Sequence, residues 1–171
     1  MCPPLGDNSA EAGASSFVNP MTALGFVENA RMDGHKAILH TVGASNLGQM
    51  LNRICLEDGM GLVNIVRKDE QAKLLKDQGA THVVNSSDDD FLDQLKAAID
   101  DTDAFYGFDP IGGGKMVDTC FKAMEQVAVG KMTEYSRYGS NQQKRMFIYG
   151  RLDFGPTTLT PSYGFGWTLS G

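Results

Sequence analysis

The chain is poor in several things whose scarcity is informative. Cysteine is one: three residues in 171, at Cys2, Cys55 and Cys120. An odd number so widely spaced builds neither a disulfide framework nor a zinc site, and a reducing, cytoplasmic compartment is expected. Long apolar runs are also missing. None approaches the roughly 18–20 residues needed to cross a bilayer, so no membrane partner is expected. The opening residues, Met1 to Glu11, have neither a basic start nor an apolar stretch, and no secretory leader is read there. Positive charge is outweighed, with 15 Lys and Arg against 21 Asp and Glu and a net charge of -6. That balance argues against a nucleic-acid partner, which would need clustered cations to neutralise phosphates.

Glycine is plentiful, with 20 residues, well above the roughly 7% of average usage. Its clusters punctuate an alternation of strands and helices. Phe17 to Arg31 has helical spacing, with Phe17, Met21, Leu24 and Val27 on one stripe and Pro20 in the first turn. Strands are predicted at Lys36–Thr41, Leu62–Val66, His82–Asn85, Ala104–Asp109 and Met146–Tyr149. Helices are predicted at Asn46–Glu57, Asp69–Gln78, Asp90–Asp100 and Lys115–Val127. Short apolar strands joined by crossover helices imply a doubly wound parallel sheet, an α/β fold of Rossmann type. Residues 1–34 read as a lead-in and bridging helix, and 35–153 as a nucleotide-binding domain with an insertion at about 128–145. Residues 154–171 read as an incomplete C-terminal segment.

The segment Gly43-Ala-Ser-Asn-Leu-Gly48 follows the first strand and opens a helix. That is the place of a dinucleotide fingerprint, where glycines permit a tight turn and helix N–H groups face a pyrophosphate. Ser45 stands where the strict pattern has its second glycine. A second cluster, Asp109-Pro-Ile-Gly-Gly-Gly114, fails as a Walker loop because Asp109 replaces the first glycine and Met116 the Ser/Thr. It reads instead as a loop at the carboxyl edge of the sheet.

The tip of the second strand selects the nucleotide. An NAD site places a carboxylate there for the ribose hydroxyls. This chain has Arg67 and Lys68, and a guanidinium pairs well with a 2′-phosphate. NADP(H) is therefore the expected cofactor. His35, His40 and His82 lie in or beside strands and read as structural.

Six segments together resemble one known group. They are Asn19-Pro-Met-Thr-Ala23, Gly43-Ala-Ser-Asn-Leu-Gly48, Asn64-Ile-Val-Arg67, Gly79-Ala-Thr-His-Val-Val-Asn85, Phe108-Asp-Pro-Ile-Gly-Gly113 and Phe147-Ile-Tyr-Gly-Arg151. The chain resembles the cofactor-binding half of the alcohol dehydrogenase-like, medium-chain dehydrogenase/reductase superfamily. Its nearest branch is the zinc-independent quinone oxidoreductases and enoyl-thioester reductases.

The resemblance implies a single domain excised from a larger two-domain oxidoreductase. It places Thr22 near the nicotinamide, and Ser45, Asn46 and Leu47 beside Gly43 at the pyrophosphate. It places Arg67, supported by Lys68, at the 2′-phosphate, and Asn85 on the adenine side. Pro110 and Ile111 would line the ribose pocket, and Tyr149, Gly150 and Leu152 would meet the nicotinamide amide. Many quinone oxidoreductases carry a lysine where this chain has Gln71. The small-molecule substrate, a quinone or activated enone/enoyl compound, would bind through a catalytic domain outside this chain. No metal and no catalytic residue are assigned here, and a homodimer is compatible with the family. The alternative reading is a nucleotide-sensing module without chemistry of its own.

Overall fold

The computed structural model describes residues 17–171; the lead-in at 1–16, with Cys2, lies outside the described residues. Among the described residues, five helices and six strands alternate up to β5, opening with α1 (Val18–Met32), β1 (Ala37–His40), α2 (Asn46–Asp58) and β2 (Gly61–Val66). They continue with α3 (Asp69–Asp77), β3 (His82–Asn85), α4 (Phe91–Thr102), β4 (Tyr106–Asp109), α5 (Met116–Gly130), β5 (Lys144–Ile148) and β6 (Trp167–Ser170). The sheet order is β3-β2-β1-β4-β5-β6, and every pairing is parallel. This is the doubly wound order, and it reverses direction between β1 and β4.

Strand periodicity explains why the apolar runs are continuous. Both faces of the sheet are covered, so neighbouring residues pack in opposite directions. Leu39, Val63 and Ile65 face one core with Leu95, Ile99, Phe121 and Met124. Ile38, Leu62, Tyr106 and Phe108 face the other, with Phe26 and Val27 of α1 and Leu51 and Cys55 of α2. Cys55 and Cys120 are free and buried. No described helix is long and apolar enough to cross a membrane.

Three expectations need correction. The buried stripe of α1 is Ala23, Phe26, Val27 and Ala30, while Phe17, Met21 and Leu24 are 57%, 58% and 43% exposed. Apolar residues surround this helix, so spacing alone could not select a face, and the small alanines allow the close approach to the sheet. Five strands are expected from the sequence; Trp167–Ser170 is a sixth, hydrogen-bonded along β5. Its half-buried, mixed composition gave no apolar run to recognise. The 128–145 insertion is also shorter than expected, because α5 continues to Gly130 and β5 begins at Lys144.

The connection between α5 and β5 is pinned from inside. Lys144 is fully buried and pairs with Glu125 at 2.7 Å. Glu125 also accepts hydrogen bonds from the Ser140 N–H at 2.8 Å and from Ser140 Oγ at 2.6 Å. Burial alone pushes the Glu125 carboxyl upward, but the bonds from Lys144 and Ser140 outweigh it and hold the group below its usual range. The segment before β6 is tied by Asp118, which accepts from the Thr160 N–H at 2.7 Å, from Thr160 Oγ1 at 2.8 Å and from the Tyr163 hydroxyl. Burial again acts upward there, and the bonds from Lys122, Tyr163 and Thr160 overcome it and depress this carboxyl as well.

Removing one partner of a buried pair strands the other charge. Lys144→Met is therefore expected to cost about 3–5 kcal/mol in urea unfolding, and adding Glu125→Gln should recover part of the loss. Both carboxyls have folded values below their unfolded ones, so their contribution is present above the unfolded value and lost as pH falls through the folded one. The part of the urea midpoint that these two carboxyls supply should be level above about pH 5 and drop below about pH 4. Asp118→Asn should flatten that acid limb.

Candidate dinucleotide site

The site forms where the sheet order reverses, beyond the carboxyl ends of β1 and β4. After β1 the chain turns sharply, and the Gly43 N–H donates to the Ile65 carbonyl at 2.9 Å. A Cβ on Gly43 would lie 2.8 Å from Asn64, and one on Gly48 only 2.3 Å from the Gly43 carbonyl oxygen. Both positions therefore require glycine for close packing. Ser45 caps α2: its Oγ accepts from the Gly48 N–H at 3.0 Å and donates to the Val42 carbonyl at 2.9 Å. The N–H groups of Asn46 and Leu47 are left without a backbone acceptor among the described residues. They are the unpaired donors that a helix start offers to an anion.

The second glycine loop is anchored by Asp109, which is fully buried. One carboxyl oxygen accepts from Thr41 Oγ1 at 2.5 Å and the other from the Gly112 N–H at 2.7 Å. Gly112 and Gly114 have φ of +79° and +76°, which side chains resist. The loop is laced to the chain after β5: Leu152 N–H donates to the Pro110 carbonyl at 3.0 Å and Asp153 N–H to the Ile111 carbonyl at 2.9 Å. Gly114 N–H donates to the Pro156 carbonyl at 3.0 Å, and Gly114 in turn accepts from the Thr158 N–H at 2.8 Å.

Between these loops and the tip of β2 lies a cleft of about 320 Å³. Four of the residues proposed from sequence line it: Gly43, Arg67, Ile111 and Leu152. The others lie elsewhere. Ser45 is the cap of α2, and Asn46 and Leu47 are its first two residues; none of the three lines the cleft. Lys68 is exposed at the N-terminal boundary of α3 and does not line the cleft. Thr22 Oγ1 donates to the Val18 carbonyl of its own helix at 2.8 Å. Pro110 and Gly150 pack against each other; a Cβ on Gly150 would lie 2.9 Å from the Pro110 carbonyl oxygen. Asn85 is buried and directs its amide to Asp69 at 2.8 Å.

Tyr149 turns toward α1, not the cleft. Its hydroxyl is 2.7 Å from His40 Nε2, and its ring packs edge-on to Phe26. Burial pushes the His40 imidazole down to about 4, so it is neutral near pH 7. Burial, with Asp109 adding to it, pushes the Tyr149 phenol up.

Eight lining residues are not among the site residues expected from the sequence: Thr41, Val42, Ala44, Ile65, Val66, Gln71, Met116 and Asp153. Asp109, which braces the site from beneath, was also missed. The signal for Asp109 was an acidic residue closing an apolar strand immediately before a glycine run. Gln71 accepts from the Arg67 N–H at 3.1 Å and so braces the strand tip. Among the described residues, neither Arg67 nor Lys68 belongs to an ion pair.

A family model described as zinc-binding dehydrogenase matches residues 46–152. The chain belongs to the zinc-binding dehydrogenase family. Among solved structures, it is 32% identical to a Mesorhizobium loti protein assigned as an NADPH:quinone reductase, over 91% of this chain and 40% of that one, with a TM-score of 0.74. The mitochondrial 2-enoyl thioester reductase of Candida tropicalis gives 19% identity, 96% and 44% coverage, and a TM-score of 0.66. A mycobacterial protein complexed with NADPH gives 18% identity, 97% and 48% coverage, and 0.64. The latter two share the fold. The chain thus spans 40–48% of the length of these structures. For this member of the zinc-binding dehydrogenase family, the described residues contain no group of three or more His, Cys, Asp or Glu placed to hold a metal, so they do not fit the zinc of the family's name.

The glycine requirement is directly testable. Gly48→Ala forces backbone to move and is expected to destabilise by about 1–3 kcal/mol in urea unfolding. Gly25→Ala, in α1 with nothing within 4 Å of its Cβ, should be neutral or stabilising by up to about 1 kcal/mol.

Proposed function

We propose that the chain binds NADP(H) across the β1–β4 switch point and forms the coenzyme-binding half of an oxidoreductase. The observation that carries this reading is Arg67, which lines the cleft at the tip of β2 with no ion-pair partner among the described residues. No carboxylate occupies that tip to hold ribose hydroxyls or repel a 2′-phosphate. The glycine cradle fits a pyrophosphate: Gly43 and Gly48 leave no room for a Cβ, and the Asn46 and Leu47 N–H groups are free to donate. In this reading Ser45 shapes the turn, Arg67 and Lys68 supply positive charge, and Ile111 and Leu152 cover the ribose and nicotinamide side. Pro110 and Gly150 fix the loops that carry those two residues.

When bound, the coenzyme supplies or accepts hydride at its nicotinamide ring. The proposed reaction of the full protein is hydride transfer between NADPH and a quinone or an activated enone or enoyl substrate. The 32% identity to the Mesorhizobium loti protein supports the first class, and the shared fold of the fungal enoyl thioester reductase is compatible with the second. His40 and Tyr149 are bonded to each other, and Asp109 is bonded to Thr41 and Gly112. That engagement favours the view that this stretch alone binds coenzyme without turning over substrate, as a pure nucleotide-binding module would.

Isothermal titration with NADPH and NADH tests the coenzyme reading. The wild-type chain should prefer NADPH, and Arg67→Ala should reduce that preference about 10- to 100-fold, as expected for charge-assisted bonds worth about 1.5–3 kcal/mol. Equal affinity of the wild type for both coenzymes overturns the reading.

A further inference from the structure

We infer that Asn85 is a positioning residue for coenzyme choice: it holds the Asp69 carboxylate against the end of β3 and so keeps Arg67 free for a 2′-phosphate. The inference rests on the NADP(H) reading above. Its basis is a closed ring of bonds around the β2–α3 turn. Asn85 is the last residue of β3, in register with Val66, and is only 7% exposed. Its Nδ2 donates to Asp69 Oδ1 at 2.8 Å, and its Oδ1 accepts from the Ser87 N–H at 3.1 Å. Ser87 Oγ then donates to the Arg67 carbonyl at 2.8 Å, and the Arg67 N–H donates to Gln71 Oε1 at 3.1 Å. The backbone of Arg67 is thereby fixed on both sides while its guanidinium stays out of every ion pair among the described residues.

Electrostatics supplies the reason such a tether matters. Asp69 opens α3 two residues after Arg67. A mobile carboxylate there would pair with the guanidinium or face an incoming phosphate, and either event weakens selection for the extra anion. Asn at this position does what Asp could not, because only the amide carries donors for a carboxylate. Asn85 thus acts through Asp69 and not by touching the coenzyme.

The test is calorimetric titration of the 171-residue chain with NADPH and NADH, for wild type, Asn85→Ala, Asp69→Asn and the double variant. Asn85→Ala should cut the NADPH preference by about fivefold, the upper range for an exposed ion pair. NADH binding should change by less than about twofold, the scale of a surface substitution. Adding Asp69→Asn should restore the preference, because the carboxylate that Asn85 tethers is then gone. A parallel loss of both coenzymes, or no restoration in the double variant, overturns the inference. If Asn85→Ala does not fold, Asn85→Ser is the milder variant with the same expected outcomes. A wild type that binds both coenzymes equally overturns the coenzyme reading and this inference with it. A wild type that prefers NADPH beside an Asn85→Ala variant that prefers it equally overturns this inference alone.

Discussion

The side chain of Asp109 spans the place where the sheet reverses direction, bonded to Thr41 beyond β1 and to Gly112 in the loop after β4. Two strands that are distant in sequence are thereby held at a fixed separation at their carboxyl ends. A parallel sheet leaves a crevice at this point, since successive crossovers run to opposite sides. Without a brace the two loops would be free to splay, and the cleft between them would have no fixed width. With it, the loop that follows β5 can be laced onto the glycines at 112–114, and Ile111, Leu152 and Asp153 are brought to one wall of the cleft.

Opposite that wall the constraint is steric. The start of α2 lies so close to the preceding turn that Gly48 has no space for a side chain. This proximity sets the start of α2, with its unpaired N–H groups, directly against the turn after β1. The β2 tip completes the site with Arg67, whose backbone is braced by Gln71 and Ser87. Three kinds of force therefore meet at one edge: a buried hydrogen-bonded carboxyl, a glycine contact and a positioned cation.

The buried polar groups away from this edge serve a different end. Glu125 with Lys144 and Ser140, and Asp118 with Tyr163 and Thr160, tie the irregular stretches on either side of β5 to the face of α5. Those stretches expose Tyr135, Tyr138 and Phe165 and bury Tyr163 against Phe121 in the core. Directional bonds add to that contact in holding these stretches in place.

Much of this was legible from residue order. Alternating apolar strands and amphipathic helices specify a parallel sheet, because no other arrangement covers strands that are apolar on both faces. The glycine turn after β1 and the cations after β2 were readable because their chemistry is local, confined to a few consecutive residues. The buried face of α1, the strand at Trp167–Ser170 and the tasks of Asp109, Asn85 and Tyr149 were not. Each depends on a partner far along the chain, at Phe108, Lys144, Thr41, Asp69 and His40 respectively. Sequence alone determined the fold class and the sign of charge at the nucleotide edge, since short-range pattern governs both. Tertiary structure alone decided which polar side chains face the cleft and which are consumed in holding it, because that division is set by contacts across the sheet.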